Sequence, residues 1–407
     1  MNKKKVMTCL AALSLVLSTM AQTKAAIERE QSGDYSNSAE RKQGRPVVKA
    51  VRVESPLVTE KDFVWYTEQK EAWRALTQKE PQNEEAWRNY YIAARYMGWY
   101  NQNDTTARQA IREMREAIPD TYTYNYCAYR ASVLGHGLET DGGKYAEAAL
   151  TMLPADMQFF DYEDWVCYLA MKGHEERMAQ MAKRYFDSGL FSETVLRYNY
   201  NELSGMDEGG IIIANGDMAV IPKWLIQQGM GQHRDKTVVC APFLAVQEYR
   251  EWLFKKLGIE LPVWESGSYD DYEHRLLQAI IDHCGSRVYF STTTPPKLME
   301  PWKEHLYNEG LALKYSAKAY DNMAVKRRNV EQRYMLEYLL VSFRPDWTSG
   351  QRLLANYAVL LADLLPYYAK HDQQRYDWLM RLLVSGVTNT SFDEEQKQQY
   401  LNLLLDK

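Results

Sequence analysis

One stretch constrains this chain more than any other. Between Gly209 and Pro262 it reads GGIIIANGDMAVIPKWLIQQGMGQHRDKTVVCAPFLAVQEYREWLFKKLGIELP. Ile211-Ile212-Ile213-Ala214 is a short, wholly apolar, β-branched run between Gly209-Gly210 and Asn215-Gly216-Asp217. A run of that kind is a strand buried on both faces, as in a parallel sheet. A helical segment follows, then a second run, Val238-Val239-Cys240-Ala241, and a second helix over Leu244 to Leu257. The rhythm continues with a helix from Tyr269 to His283, a third strand at Val288-Tyr289-Phe290-Ser291, a helix over Leu298 to Tyr307, and an edge strand at Leu311 to Tyr315. Strands alternating with helices of this length predict right-handed crossovers and a small parallel sheet of three to four strands.

The chain on either side is helical. From Thr59 to about Leu203 the junctions Glu80-Pro81, Ile118-Pro119, Leu153-Pro154 and Ser188-Gly189 each close one helix and open another, at spacings of 38, 35 and 35 residues. This resembles the tetratricopeptide period of about 34 residues. One helix pair cannot bury its own apolar face, whereas stacked pairs can. Ala72-Trp73, Leu76, Pro81, Asn83, Ala86-Trp87 and Tyr90 fit the first unit best, and the later units are degenerate. From Val330 onward four more helices are expected, at Tyr334–Phe343, Gly350–Lys370, Gln373–Val384 and Asp393–Leu405. The last of these opens on a hydroxyl cap with acids in its first turn.

The N-terminus reads as an address. Asn2-Lys3-Lys4-Lys5 is a basic region, Val6 to Leu17 an apolar one, and Thr19-Met20-Ala21 a small-residue cleavage site, so the expectation is a periplasmic protein processed after Ala21. The apolar run is too short to span a bilayer, and no later segment is long enough. The expected organisation is a signal peptide (1–21), a polar linker and arm (22–58), helical repeats (59–205), an α/β domain (206–320) and a C-terminal helical region (321–407). Within the linker, Val47 to Val53 alternates in part and is expected to lie extended on the body. Cleavage leaves Cys127, Cys167, Cys240 and Cys284. Buried free thiols are the reading adopted, because parallel strands would put Cys240 and Cys284 at opposite ends of the sheet. A net charge of −5 gives no support for nucleic-acid binding. Thirty Tyr and 11 Trp against 10 Phe suit helical packing and interaction surfaces.

Several segments together resemble a family. Asn215-Gly216-Asp217, Pro222 with Trp224, Arg234 and Asp235 ahead of Val238-Val239, Tyr289-Phe290, and Glu309-Gly310-Leu311 follow one another. In that order they look like the soluble extracytoplasmic part of the transmembrane-protein-260-like family, which includes protein O-mannosyltransferases. The match covers about Gly209 to Tyr315. It departs at Met218-Ala219, where family members carry polar or acidic residues, and no membrane domain accompanies it. The catalytic acid and lipid-linked sugar site of those transferases belong to the membrane portion. The resemblance therefore implies a shared soluble module and carries over no catalytic residue.

Candidate ligand residues are Asn215, Asp217, Thr292 and Thr293, which follow strands one and three and so share the carboxyl edge, where open α/β sheets bind ligands. Asp217 reads first as a helix N-cap, with Gly216 supplying a positive φ. No glycine-rich phosphate fingerprint, His-Glu-x-x-His or Gly-x-Ser-x-Gly motif is present. Asp270-Asp271 with Glu273 opens a helix, and Lys326-Arg327-Arg328 reads as a solvated face. No metal or cofactor is expected. The composite expectation is a non-catalytic envelope protein whose repeats bind a protein partner. The alternative is an enzyme or glycan-binding module taking a small polar ligand at the sheet edge.

Overall fold

A computed structural model describes residues 48–134, 142–264, 266, 268–340, 347–388, 390 and 392–405. The expected signal peptide and most of the linker lie outside the described residues. The chain divides into two compact units, residues 33–161 and the remainder running from Tyr162 to Lys407. The sequence placed a boundary near Gly205; the division falls instead inside a helix, and two later helices group with the sheet.

The first unit is helical. It contains α1 (Phe63–Lys79), α2 (Glu84–Asn101), α3 (Thr105–Ala117), α4 (Tyr122–Val133), α5 (Gly143–Thr151) and the start of α6 (Phe159–Met171). Polar side chains cap α1, α2 and α4: Asp62 accepts from Trp65 N–H, Asn83 from Ala86 N–H and Thr121 from Tyr124 N–H. The amphipathic α3 buries Ala107, Ala110, Ile111 and Met114, the spacing of one helical face. By contrast α2 is buried nearly all round, Trp87, Tyr90 and Tyr91 included, because α1, α3 and α4 all pack on it. Each expected junction in this unit, at Pro81, Pro119 and Pro154, falls between helices. Inside, Arg88 donates to Asp161 at 2.7 Å, with side-chain exposures of 6% and 1%, and its guanidinium lies 4.6 Å from the Tyr126 ring. Ahead of α1, residues 48–53 run extended over α1 and α2, as the alternating pattern predicts.

The second unit continues through α6 to α7 (Glu175–Asp187) and α8 (Glu193–Gly205), then enters the sheet. Its strands are β1 (Ile211–Ala214), β2 (Thr237–Cys240), β3 (Val288–Ser291), β4 (Leu306–Asn308) and β5 (Ala312–Tyr315), in the order β2-β1-β3-β5-β4. The first three are parallel, with Ile212 opposite Val238 and Tyr289. Every residue of β1 and β3 is buried. The helices between them are α9 (Asp217–Leu225), α10 (Gln247–Leu257) and α11 (Tyr269–Cys284).

The sheet nevertheless has five strands and is mixed, a correction to the expected three to four parallel ones. After β3 comes only α12 (Pro296–Met299) and a 3-10 turn over Glu300–His305, so the expected helix to Tyr307 is cut short and β4 starts at Leu306. Three residues join β4 to β5, which permits only a hairpin; a parallel return needs a dozen or more residues. Hence β4 and β5 are antiparallel; β5 also pairs antiparallel with β3, and β4 takes the edge that the sequence had assigned to β5.

Beyond the sheet come α13 (Asn322–Arg328), α14 (Thr348–His371), α15 (Gln373–Thr388) and α16 (Glu394–Leu405). The expected helix over Tyr334–Phe343 does not form across its described part, which holds one 3-10 turn at Glu337–Leu339. The reason is a competing partner. The Asn201 amide accepts from Met335 N–H at 2.8 Å and donates to Met335 C=O at 3.0 Å, so neither group is left for a helical ladder. The cap of α16 is the Asp393 carboxylate, which accepts from Gln396 N–H, rather than a hydroxyl.

Candidate functional site

The four candidate residues do converge. β1 and β3 are neighbours, and the chain leaves them in opposite directions, toward β2 and toward β5, so their carboxyl ends flank the switch point of the sheet. Gly216 follows at φ 90°, a conformation open to glycine, and turns the chain into α9. Here the N-cap expectation for Asp217 is corrected: Gly216 occupies the cap position and Asp217 is the first helical residue, exposed. Its carboxylate complements the helix dipole without being the cap.

The protein's own α8 reaches this edge, where Asn215, Thr292 and Thr293 remain half-buried. Tyr198 and Thr292 hydroxyls meet at 2.9 Å. Thr293 and Ser291 hydroxyls pair at 2.8 Å, and Thr294 donates to Ile213 C=O at 3.2 Å, linking the loop after β3 to the end of β1. Asn199 reaches the edge from the same helix. Pro222 sits in the second turn of α9 and has no N–H for the carbonyl four residues earlier, Met218. Asn199 Nδ2 donates to that carbonyl at 2.9 Å.

Beneath lies a buried ion pair. Lys223 Nζ donates to Glu202 at 2.6 Å, Asn199 Oδ1 at 2.5 Å and Ala219 C=O at 2.6 Å, with Lys223 and Glu202 side chains 0% exposed. Burial pulls the Lys223 ammonium below its ordinary pKa, and the Glu202 carboxylate opposes that shift. On the other face of α8, Asn201 donates to the Tyr357 hydroxyl at 2.8 Å and Tyr357 meets Tyr338 at 3.2 Å.

Tyr198, Asn199, Asn201, Glu202 and Lys223 belong to no motif, and only the structure brings them to this edge. Two signals were present. Tyr198-Asn199-Tyr200-Asn201-Glu202 puts polar groups on both sides of one helix, and Lys223 stands alone in the apolar run from Ala219 to Ile226. A lone lysine there calls for a buried partner.

Burial pushes the Cys240 thiol up, and the Asp217 charge adds to it; burial, then Asp217, does the same at Cys167. Such thiols stay protonated and are poor nucleophiles. All four described cysteines are free. Among the described residues no three His, Cys, Asp or Glu side chains are grouped to hold a metal ion.

At the amino end of the same strands, Asp207 accepts from Lys314 at 2.6 Å and from the Tyr289 hydroxyl at 3.1 Å. Glu309, in the β4–β5 hairpin level with the carboxyl end of β3, accepts from the Tyr320 hydroxyl at 2.6 Å. Burial alone would raise the Asp207 pKa, but Lys314, Tyr289 and Arg328 hold it below the usual value. Burial dominates at Glu309 and raises it. An open cleft of about 430 Å³, lined by Glu331, Tyr334, Glu337, Arg375 and Trp378 among others, includes no strand residue. Among the described residues, no helix is long and apolar enough to cross a membrane. Comparison of the chain with protein-family models, with curated proteins and with solved structures returned no match.

Proposed function

We propose that this chain is an exported, periplasmic interaction protein of the cell envelope. Its helical unit, a degenerate tetratricopeptide-like array, binds a protein partner, and its sheet unit is a rigid non-catalytic module. In this reading the stretch from Gly209 to Tyr315 is the soluble module shared with the transmembrane-protein-260-like family, without transferase activity. The observation that carries the reading is that α8 bonds to the polar edge at the switch point, Tyr198 to the Thr292 hydroxyl and Asn199 to the Met218 carbonyl. Threonines offered for ligand binding are bonded within the protein.

The test is affinity capture from envelope extract with the full mature chain, alongside fractionation and N-terminal sequencing. A protein partner retained by the wild type and by Asp217→Asn is the expected result. A sugar or other small polar ligand whose binding is lost in Asp217→Asn or Asn215→Ala would replace this reading with an enzyme or glycan-binding site at the sheet edge.

A further inference from the structure

The extended arm ahead of α1 is held in an unusual way. Val51 N–H donates to Gln69 Oε1 at 2.7 Å, and Val51 C=O accepts from the Trp73 indole N–H at 2.8 Å. Gln69 Nε2 also donates to Lys49 C=O at 3.3 Å, and Val53 N–H donates to Asn89 Oδ1 at 2.8 Å. Residues 49, 51 and 53 are alternate residues, so their main-chain groups lie along one edge of an extended strand. Val51 exchanges both its N–H and its C=O, as a residue does in a β-ladder. Here the other side of the ladder is made of side chains from α1 and α2.

These side chains are set for the task. Gln69 and Trp73 are four apart on α1 and so share a face. Gln69, Trp73 and Asn89 are all buried. The Asn89 amide is oriented by its own Nδ2, which donates to Glu85 C=O at 2.8 Å. Main-chain recognition carries almost no sequence requirement. Within the arm only Val53 and Ser55, each 2% exposed, bury their side chains; Lys49, Val51, Arg52 and Glu54 are exposed. A seat that grips four main-chain groups and inspects two side chains fits any extended segment with a β-branched apolar residue followed, two positions later, by a residue of serine size.

We propose that Gln69, Trp73 and Asn89 form a receptor for an extended polypeptide segment of a protein partner, read through its main chain, and that residues 49–55 cover this receptor as an intramolecular occupant which the partner displaces. The proposal rests on the reading of the chain as an interaction protein and names the surface and the partner's chemistry. Seven residues, 56–62, link the arm to α1, so the tether keeps its local concentration high and lowers the apparent affinity of any competitor.

The test uses the full mature chain and a fluorescein-labelled peptide of residues 48–57, VKAVRVESPL, read by anisotropy. Val51→Pro with Val53→Pro removes the two N–H donors of the arm and frees the seat. The double variant is expected to bind the peptide at least ~10-fold more tightly than wild type, by the fraction of open receptor it gains. Adding Asn89→Leu should abolish the gain. A peptide that keeps only Val53 and Ser55 should bind within ~3-fold of the parent peptide, because the main chain supplies the contacts, while one N-methylated at Val51 and Val53 should not bind.

Equal binding by wild type and the double variant, with melts showing both folded, overturns the proposal. If the double proline variant does not fold, Val53→Asp, which disturbs only the buried arm side chain, takes its place with the same expected gain. A wild-type dimer that the peptide dissolves would give the seat to a second copy's arm and overturn the assignment to a separate partner. A partner captured from extract whose binding is unchanged by Asn89→Leu would sink the receptor while leaving the interaction function standing. Peptide binding as expected with no partner captured would do the reverse.

Discussion

The arm seat on α1 and α2 and the carboxyl edge of the sheet are both occupied by the chain's own residues, yet the two occupants differ in kind. The arm makes single hydrogen bonds through its main chain and leaves most of its side chains in solvent. At the sheet, α8 buries Tyr198, Asn199, Asn201 and Glu202 and is packed by α9 and α14. Removing the arm would expose a few amides that water can satisfy. Removing α8 would take from Lys223 its counter-charge and from the Met218 carbonyl its donor in an apolar interior. The lesson is that occupancy alone does not separate a site from a core; the cost of vacating it does.

That contrast breaks first at Glu202. Glu202→Ala leaves the Lys223 ammonium buried without its counter-charge and should cost about 3–5 kcal/mol in urea unfolding. Glu202→Leu combined with Lys223→Met should recover most of the loss, since an apolar pair of similar volume replaces both charges. A Glu202→Ala protein as stable as wild type would show the edge to be pliable and reopen it as a ligand site.

On the arm side the effects should be smaller. Trp73→Phe keeps the ring in the core but removes the indole N–H from Val51 C=O, at an expected cost of about 0.5–1.5 kcal/mol. Hydrogen exchange should show the amides of Val51 and Val53 opening faster while β1 and β3 stay protected. Loss of protection in the strands would contradict the separation of the two regions.

Acid should act on the amino end of the sheet. Asp207, with its side chain 46% exposed, has a folded-state pKa below the ordinary 3.8. Its contribution to stability is therefore present above that value and is lost as pH falls through the lowered one. Glu309 works with the opposite sign: its raised pKa costs stability as pH rises through the ordinary 4.5 toward the folded value. Melts at pH 5 and pH 3 should show Asp207→Asn flattening the acid-side loss. An unchanged profile would mean that the Lys314 contact does not persist in solution.

The smallest effect is expected at Asp217. Because Gly216 holds the cap position and Asp217 is an exposed first-turn acid, Asp217→Ala should cost only about 0.3–1 kcal/mol, the worth of a charge at the helix dipole. A loss near 2 kcal/mol in thermal melts would restore it to a capping role.

Much of the architecture was legible because it is written locally. Ile211 to Ala214 has no polar residue to place in solvent, and the expected junctions at Pro81, Pro119, Pro154 and Gly189 all fall between helices. Gly216 has the positive φ that its position after a strand suggested. Trp73 and Trp87, which fit the first repeat unit on either side of Pro81, are both buried. Asn215, Asp217, Thr292 and Thr293 do gather at one edge, since each follows the carboxyl end of β1 or β3 and those strands are parallel.

What the amino-acid sequence determined is what a few neighbouring residues decide: apolar runs, helix starts, proline junctions and the polarity of each loop. What only the tertiary structure decided depends on groups far apart in the chain. Glu202 meets Lys223 across 21 residues, Asn201 unwinds Tyr334 to Leu336 from 134 residues away, and Asn89 takes an arm amide across 36. The three-residue link makes β4 and β5 antiparallel, but that β5 rather than β4 pairs with β3 is decided by packing. A buried polar group must find a partner, and composition reveals that need; which partner answers it is settled only when the chain packs.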